Sequence, residues 1–278
     1  MIGPKQSQDV QGEGTAIQAG RDVHYHGLQV AEVRELTEIF LERQLPALRA
    51  EAVKAMRENA QELVEKIVTR LATNPNVSQE AFAKPDAQVC FNEALKAGAE
   101  KGDQIDMDML ADMVVGRLES DDDPLIKLIY EDAVKVLPRL TAAHVAFLGY
   151  LTWMRTVTHT NMQTLQQFEH ISRGLVAAFS SGFELSLANK EYLVSVGVIT
   201  INHVSDADNS FGSLREKYSC VPETKDQLAE QAPSLHRLID VWGKGQFPMC
   251  HLNGTGKLIG LLALQRVFGK LNLSVWLN

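Results

Sequence analysis

The chain has 278 residues, 45% of them hydrophobic and 22% charged, a balance that belongs to globular proteins and excludes disordered or fibrous ones. Its 35 acidic against 27 basic side chains leave a net charge of -8, which argues against a general binder of nucleic acid or anionic membrane, because phosphate contacts need surplus Lys and Arg. Cys90, Cys220 and Cys250 are scattered and form no C-x-x-C pair, which excludes a disulfide framework and a thiolate zinc site and fits a reducing, cytoplasmic compartment.

At ~100–200 residues per domain, one large or two modest domains fit this length. The opening Met1-Ile2-Gly3-Pro4-Lys5 has no apolar run of the kind a secretory signal needs. The most apolar stretches, around Ala142–Met154 and Leu258–Leu264, fall short of the ~20 residues of a spanning helix. They are expected to be core helices, with no membrane span.

Residues 1–28 differ from the rest. Ile17, Ala19, Val23 and Tyr25 occupy odd positions and Gln18, Asp22, His24 and His26 even ones, a strand period in which Arg21 is the exception. Gly12, Gly14 and Gly20 punctuate it into two short strand pieces, about 8–12 and 15–26. Such a ribbon is marginal alone in water and needs a partner sheet, which other copies of the same chain can supply. The expected self-pairing residues are Ile17, Ala19, Gly20, Val23 and Tyr25, the glycine for a turn or close backbone approach. The competing reading is a flexible head. Asp22, His24 and His26 would share one strand face, yet a first-row metal site needs further convergent ligands, so a polar face is the preferred reading.

Helix follows. Val30, Val33, Leu36, Ile39 and Phe40 form an apolar stripe broken at Pro46, and Val53, Met56, Ala60, Leu63, Val64, Ile67, Val68 and Leu71 form a second. Eight Glu and seven Lys or Arg between Gln29 and Thr73 predict a long solvated helix with one apolar edge. After the break at Pro75 and Pro85, Asp86 is expected to cap a helix to about Glu100, and Asp106 or Asp108 to open the next. Nine acidic residues against Lys101 and Arg117 lie between Glu100 and Pro124. Asp121, Asp122 and Asp123 lack the spacing of a calcium loop and suit helix capping before Pro124. Thr141 is expected to cap the most apolar helix, with Leu165–Phe179 as its hairpin partner, and His144 and His170 are read as structural rather than as paired ligands.

The last hundred residues mix textures. Ile199-Thr200-Ile201 and Leu273–Leu277 read as strands among short helices, which suggests a small α+β module resembling a winged helix. Gly254-Thr255-Gly256-Lys257 fails the phosphate-loop pattern, because His251 and Leu258 stand where Gly and Ser or Thr are required, and a cap at Thr255 accounts for it. No serine elbow, zinc-protease or dinucleotide motif is present, so no catalytic residue, cofactor or metal is assigned and the chain is expected not to be an enzyme. Residues 241–278 carry Lys244, Lys257, Arg266 and Lys270 and no Asp or Glu.

The run Gln11-Gly12-Glu13-Gly14-Thr15-Ala16-Ile17-Gln18-Ala19-Gly20-Arg21-Asp22-Val23 resembles the Gly-rich segments of bacterial amyloid-signalling proteins, relatives of the RIP homotypic interaction motif. In those effectors the motif usually follows a helical domain, whereas here it is N-terminal. The head together with Gly256-Lys257-Leu258-Ile259-Gly260 and Leu273-Ser274-Val275-Trp276-Leu277 also resembles an uncharacterised bacterial helical family that carries no assigned activity. The expected architecture is mainly α: a β-rich self-pairing segment at 1–28, a helical body at 29–181 and a small α+β module at 182–278. The first resemblance implies a homo-oligomer or filament in bacterial, including anti-phage, defence or signalling, partnered by itself. The alternative is a regulatory nucleic-acid-binding module that uses the winged-helix-like part and the basic tail.

Overall fold

The computed structural model describes residues 34, 38, 42, 45–74, 77, 79–120, 123–202, 209–271 and 273. These are mainly helical, as expected, with one two-stranded sheet. The β-rich ribbon expected at 1–28 and nearly all of the terminal strand expected at 273–277 lie outside the described residues.

Helix α1 (Leu45–Ala72) carries Pro46 at its start, where a missing N–H costs nothing. Of its long apolar stripe only Leu63 and Ile67 are fully buried, while Val53, Met56 and Val68 stay exposed. After the short α2 (Gln79–Ala83), α3 (Pro85–Lys101) buries the small residues Ala87, Cys90, Ala94 and Gly98. Leu63 fills the space a side chain at Gly98 would need. Asp86 is not the cap expected of it: Pro85 already opens the helix, Lys84 holds the cap position without a side-chain bond, and the Asp86 carboxylate is drawn to Arg117 instead.

Helix α4 (Met107–Glu119) is capped by Asp106, which accepts from the Met109 N–H, and is buried on nearly every side. Its Arg117 is 1% exposed and pairs with Asp86 of α3 and, at 2.8 Å, with Glu131 of α5 (Pro124–Val136). A buried guanidinium persists only when it is paired, and two carboxylates from two helices take its Nε and Nη2 donors. Asp123 caps α5 by accepting from the Leu125 and Ile126 N–H groups, the role expected for it.

Helix α6 (Ala142–Thr156) begins in a capping box: Thr141 Oγ1 accepts from the His144 N–H, and the His144 ring accepts from the Thr141 N–H. It packs on α7 (Leu165–Phe179), but its most extensive contact is with α12 (Gly254–Phe268). That contact depends on Gly260, where a Cβ would meet the Thr152 hydroxyl and the Leu148 carbonyl.

Helix α8 (Leu187–Ser195) turns at Gly197 (φ +75°) into β1 (Ile199–Ile201). β1 pairs antiparallel with β2 (Cys250–Leu252), Ile199 opposite Leu252 and Ile201 opposite Cys250. Between them run α9 (Ser210–Lys217), α10 (Lys225–Gln231) and α11 (Pro233–Lys244). Asn253, not Thr255, caps α12: its carboxamide accepts from the Gly256 N–H and also donates to the Gly197 carbonyl, tying the helix to the turn before β1. One apolar core runs from Leu63 to Leu264 and includes residues on both sides of position 181.

Candidate functional site

Where α6 ends at Thr156, the chain crosses to α7 through residues 157–164, and His159 of this connection is locked from several directions. The Trp153 indole N–H donates to His159 Nε2 at 3.1 Å, and the His159 backbone N–H donates to the Tyr218 hydroxyl at 2.9 Å. The imidazole sits edge to face with Phe168 at 5.8 Å, and Phe168 in turn meets Tyr218 at 5.0 Å. Burial, and then the neighbouring Lys217 charge, pushes the His159 pKa below its ordinary value. The ring is therefore neutral near pH 7, and because Nε2 accepts from Trp153, its proton is on Nδ1.

His159 stands between two hollows. The inner is a cavity of about 320 Å³ whose walls include Trp153, Phe168, Tyr218 and Trp242. One face of α9 flanks its open side, with Ser210, Ser213, Leu214 and Lys217 at helical spacing i, i+3, i+4 and i+7. The outer is an open cleft of about 700 Å³ lined by Thr158, Asn161, Gln166 and His170 among others. Lys217 Nζ donates to Thr158 Oγ1 at 2.7 Å at the seam between them.

The wall is built by contacts distant in sequence. Glu169 of α7 is 4% exposed and caps α11 from outside: Oε2 accepts from the Ser234 N–H at 2.9 Å and the Leu235 N–H at 3.1 Å. Ala232, at the cap position of α11, has no side chain able to do this. The bond holds α7, which carries Phe168, against α11, which carries Trp242. Arg155 lies 5.5 Å over the Trp242 ring and donates to the Pro248 carbonyl, fixing the indole from a second helix.

The histidines singled out in the sequence go to different neighbours. His144 is structural, its Nε2 against the Asn189 carboxamide at 3.0 Å and its ring stacked on Tyr192. His170 lines the outer cleft. His159, which the sequence reading passed over, is the one that touches the aromatic wall; the signal available was its place between Trp153 and Phe168 in a short interhelical connection. A second buried cation, Lys190, donates to the Gly245 carbonyl at the end of α11 and lies over Phe247, which satisfies it as a helix C-terminal cation.

Ile17, Ala19, Gly20, Val23 and Tyr25, the expected self-pairing residues, and Asp22, His24 and His26 lie outside the described residues. Among the described residues, no three His, Cys, Asp or Glu side chains gather to hold a metal ion, and no helix is long and apolar enough to cross a membrane.

These features define a mainly α-helical protein with an aromatic cavity between its helices. Residues 27–221 match the model of an uncharacterised protein family, and the chain belongs to that family. No curated protein and no solved structure matches it. Membership carries neither an activity nor a site residue to this chain.

Proposed function

We propose that the chain is a non-enzymatic homo-oligomerising protein of bacterial defence or signalling that assembles through residues 1–28. The observation that carries this reading is the strand-period alternation of Ile17, Ala19, Val23 and Tyr25 around Gly20, which would give a short ribbon a largely apolar face to cover. The resemblance of residues 11–23 to amyloid-signalling segments points the same way.

The start of α1 adds support. Residues 46–58 are exposed, including Leu48, Val53 and Met56 at 49%, 42% and 42%. A helix with a wet apolar edge gains from packing on its counterpart in another copy. The alternative, a nucleic-acid module using the basic tail, is weakened by two ion pairs: Lys244 is engaged by Asp240 and Arg266 by Asp106, which leaves the patch thinner than its sequence promises.

The test is the solution mass of the purified full chain, of the chain without residues 1–28, and of Val23→Asp. In the assembled ribbon Val23→Asp repeats an unpaired buried charge at every copy, which is strongly unfavourable. Both changes are expected to lower the oligomeric mass and leave the helical circular dichroism unchanged. An unaltered mass in both variants overturns self-pairing, and salt-dependent retention on DNA would favour the alternative.

A further inference from the structure

The cavity beside His159 is lined by residues outside the segment proposed to assemble, and its walls divide by chemistry. Trp153, Phe168, Tyr218 and Trp242 supply flat apolar surface, while α9 supplies hydroxyls and an ammonium group along one face. Among the described residues no carboxylate lines the cavity or the outer cleft, in a chain whose net charge is -8. Two donors stand by the seam: the Lys217 ammonium group lies on Thr158, and the Nδ1 proton of the adjoining His159 has no acceptor among the described residues. Ser213 adds a hydroxyl further along the same helix face. A hollow of about 320 Å³ is at the small end of ligand pockets, which run from roughly 300 to 1,000 Å³, so it suits one ring or a fused pair and not a dinucleotide.

We infer that this cavity binds a small planar aromatic acid, its ring held among Trp153, Phe168, Tyr218 and Trp242 and its carboxylate or phosphate met by Lys217 and His159. Aromatic walls favour a flat ring by stacking and edge contact, and a donor-rich corner with no carboxylate among its described lining residues favours an anion over a cation. The acid takes the place of solvent on Lys217, whose bond to Thr158 leaves two further ammonium protons free to donate.

Trp153 and Trp242 are two of the chain's three tryptophans, so indole emission reads occupancy directly. Phenylacetate, phenyl phosphate and the neutral phenylacetamide are titrated into the full chain. At least one acid should change the emission saturably, with the amide about tenfold weaker or more, the factor carried by one charge-assisted hydrogen bond. The acid with the lower midpoint identifies the carboxylate or the phosphate as the group recognised. Lys217→Gln, at an exposed position, should bring the acid down to the level of the amide, and Ser213→Phe should abolish binding of both while circular dichroism stays unchanged. Absence of saturation by either acid overturns the site. Equal binding of acid and amide, or a preference for acid that survives Lys217→Gln, overturns the assigned recognition of the anion.

Discussion

Helices α1 and α12 are both long and both reach the common core, yet they are held by opposite means. α12 buries most of its length, Thr255 to Leu264, and meets α6 at Gly260 so closely that backbone touches side chain. α1 commits only Leu63 and Ile67 fully, and its remaining attachment is polar: Asn59 donates to the Ala99 carbonyl, while Lys66 and Arg70 pair with Asp108 and Asp112 of α4. Dispersion and exclusion of water supply most of the hold on α12, with one ion pair, Arg266 to Asp106, near its end, and they respond little to acid. Ion pairs in partial contact with water help to hold α1, and they respond to both salt and acid. The contact of α12 is thus the rigid side of the comparison, and the contact of α1 the adjustable side.

The largest expected effect breaks the rigid side. Gly260→Leu would drive a side chain into the Leu148 carbonyl and the Thr152 hydroxyl, and because one obstacle is backbone, rotamer changes alone cannot relieve it. The expected loss is about 3 kcal/mol or more of unfolding free energy, measured by urea denaturation. A variant with the wild-type midpoint would mean that α6 and α12 do not approach as described.

A smaller effect is expected at the cavity wall. Glu169→Ala leaves the Ser234 and Leu235 N–H groups without their acceptor at the start of α11 and removes a negative charge from the positive end of that helix. The loss should be about 2 kcal/mol, with a shift in tryptophan emission because Trp242 rides on α11. An unchanged midpoint and spectrum would show that α11 is positioned without this bond.

The contrast between the two sides also accounts for what was legible beforehand. Helices with a local 3.6-residue pattern and a local cap could be read directly: Asp106, Asp123 and Thr141 each act within their own helix, three residues or fewer from the group they bind. Thr255 misled because Asn253 competes for the same cap and gains a second bond to Gly197, 56 residues away, which no local pattern announces. Asp86 misled in the same way, being claimed by an arginine of another helix. The apolar stripe of α1 was visible, but not that Val53, Met56 and Val68 in it face water. The cavity was illegible for the same reason as the Glu169 cap: Trp153, Tyr218 and Trp242 come from elements far apart in sequence, and only the fold brings them around His159.

The smallest expected effect sharpens the adjustable side. Hydrogen bonds from Arg70 and then from Lys66 hold the Asp108 carboxyl below its ordinary pKa. In the unfolded chain that carboxyl titrates near ~4, so across the interval between the two values the unfolded state binds more protons than the folded one. Stability from this group is therefore fully present above the ordinary carboxylate value and is lost as the pH falls through the lower, folded value. Its side chain is 61% exposed, so solvent screens the pairs and Asp108→Asn should cost only about 0.5 kcal/mol at neutral pH and low salt. That cost should shrink further as added salt shortens the Debye length, ~10 Å at 0.1 M, toward the contact distance. Urea midpoints of the wild type and Asp108→Asn, taken at neutral pH and again in acid, should converge in acid, where the wild-type carboxyl is also neutral. Midpoints separated by the same amount at both pH values would show that Asp108 contributes through packing and not through charge, and α1 would then be held by the same means as α12.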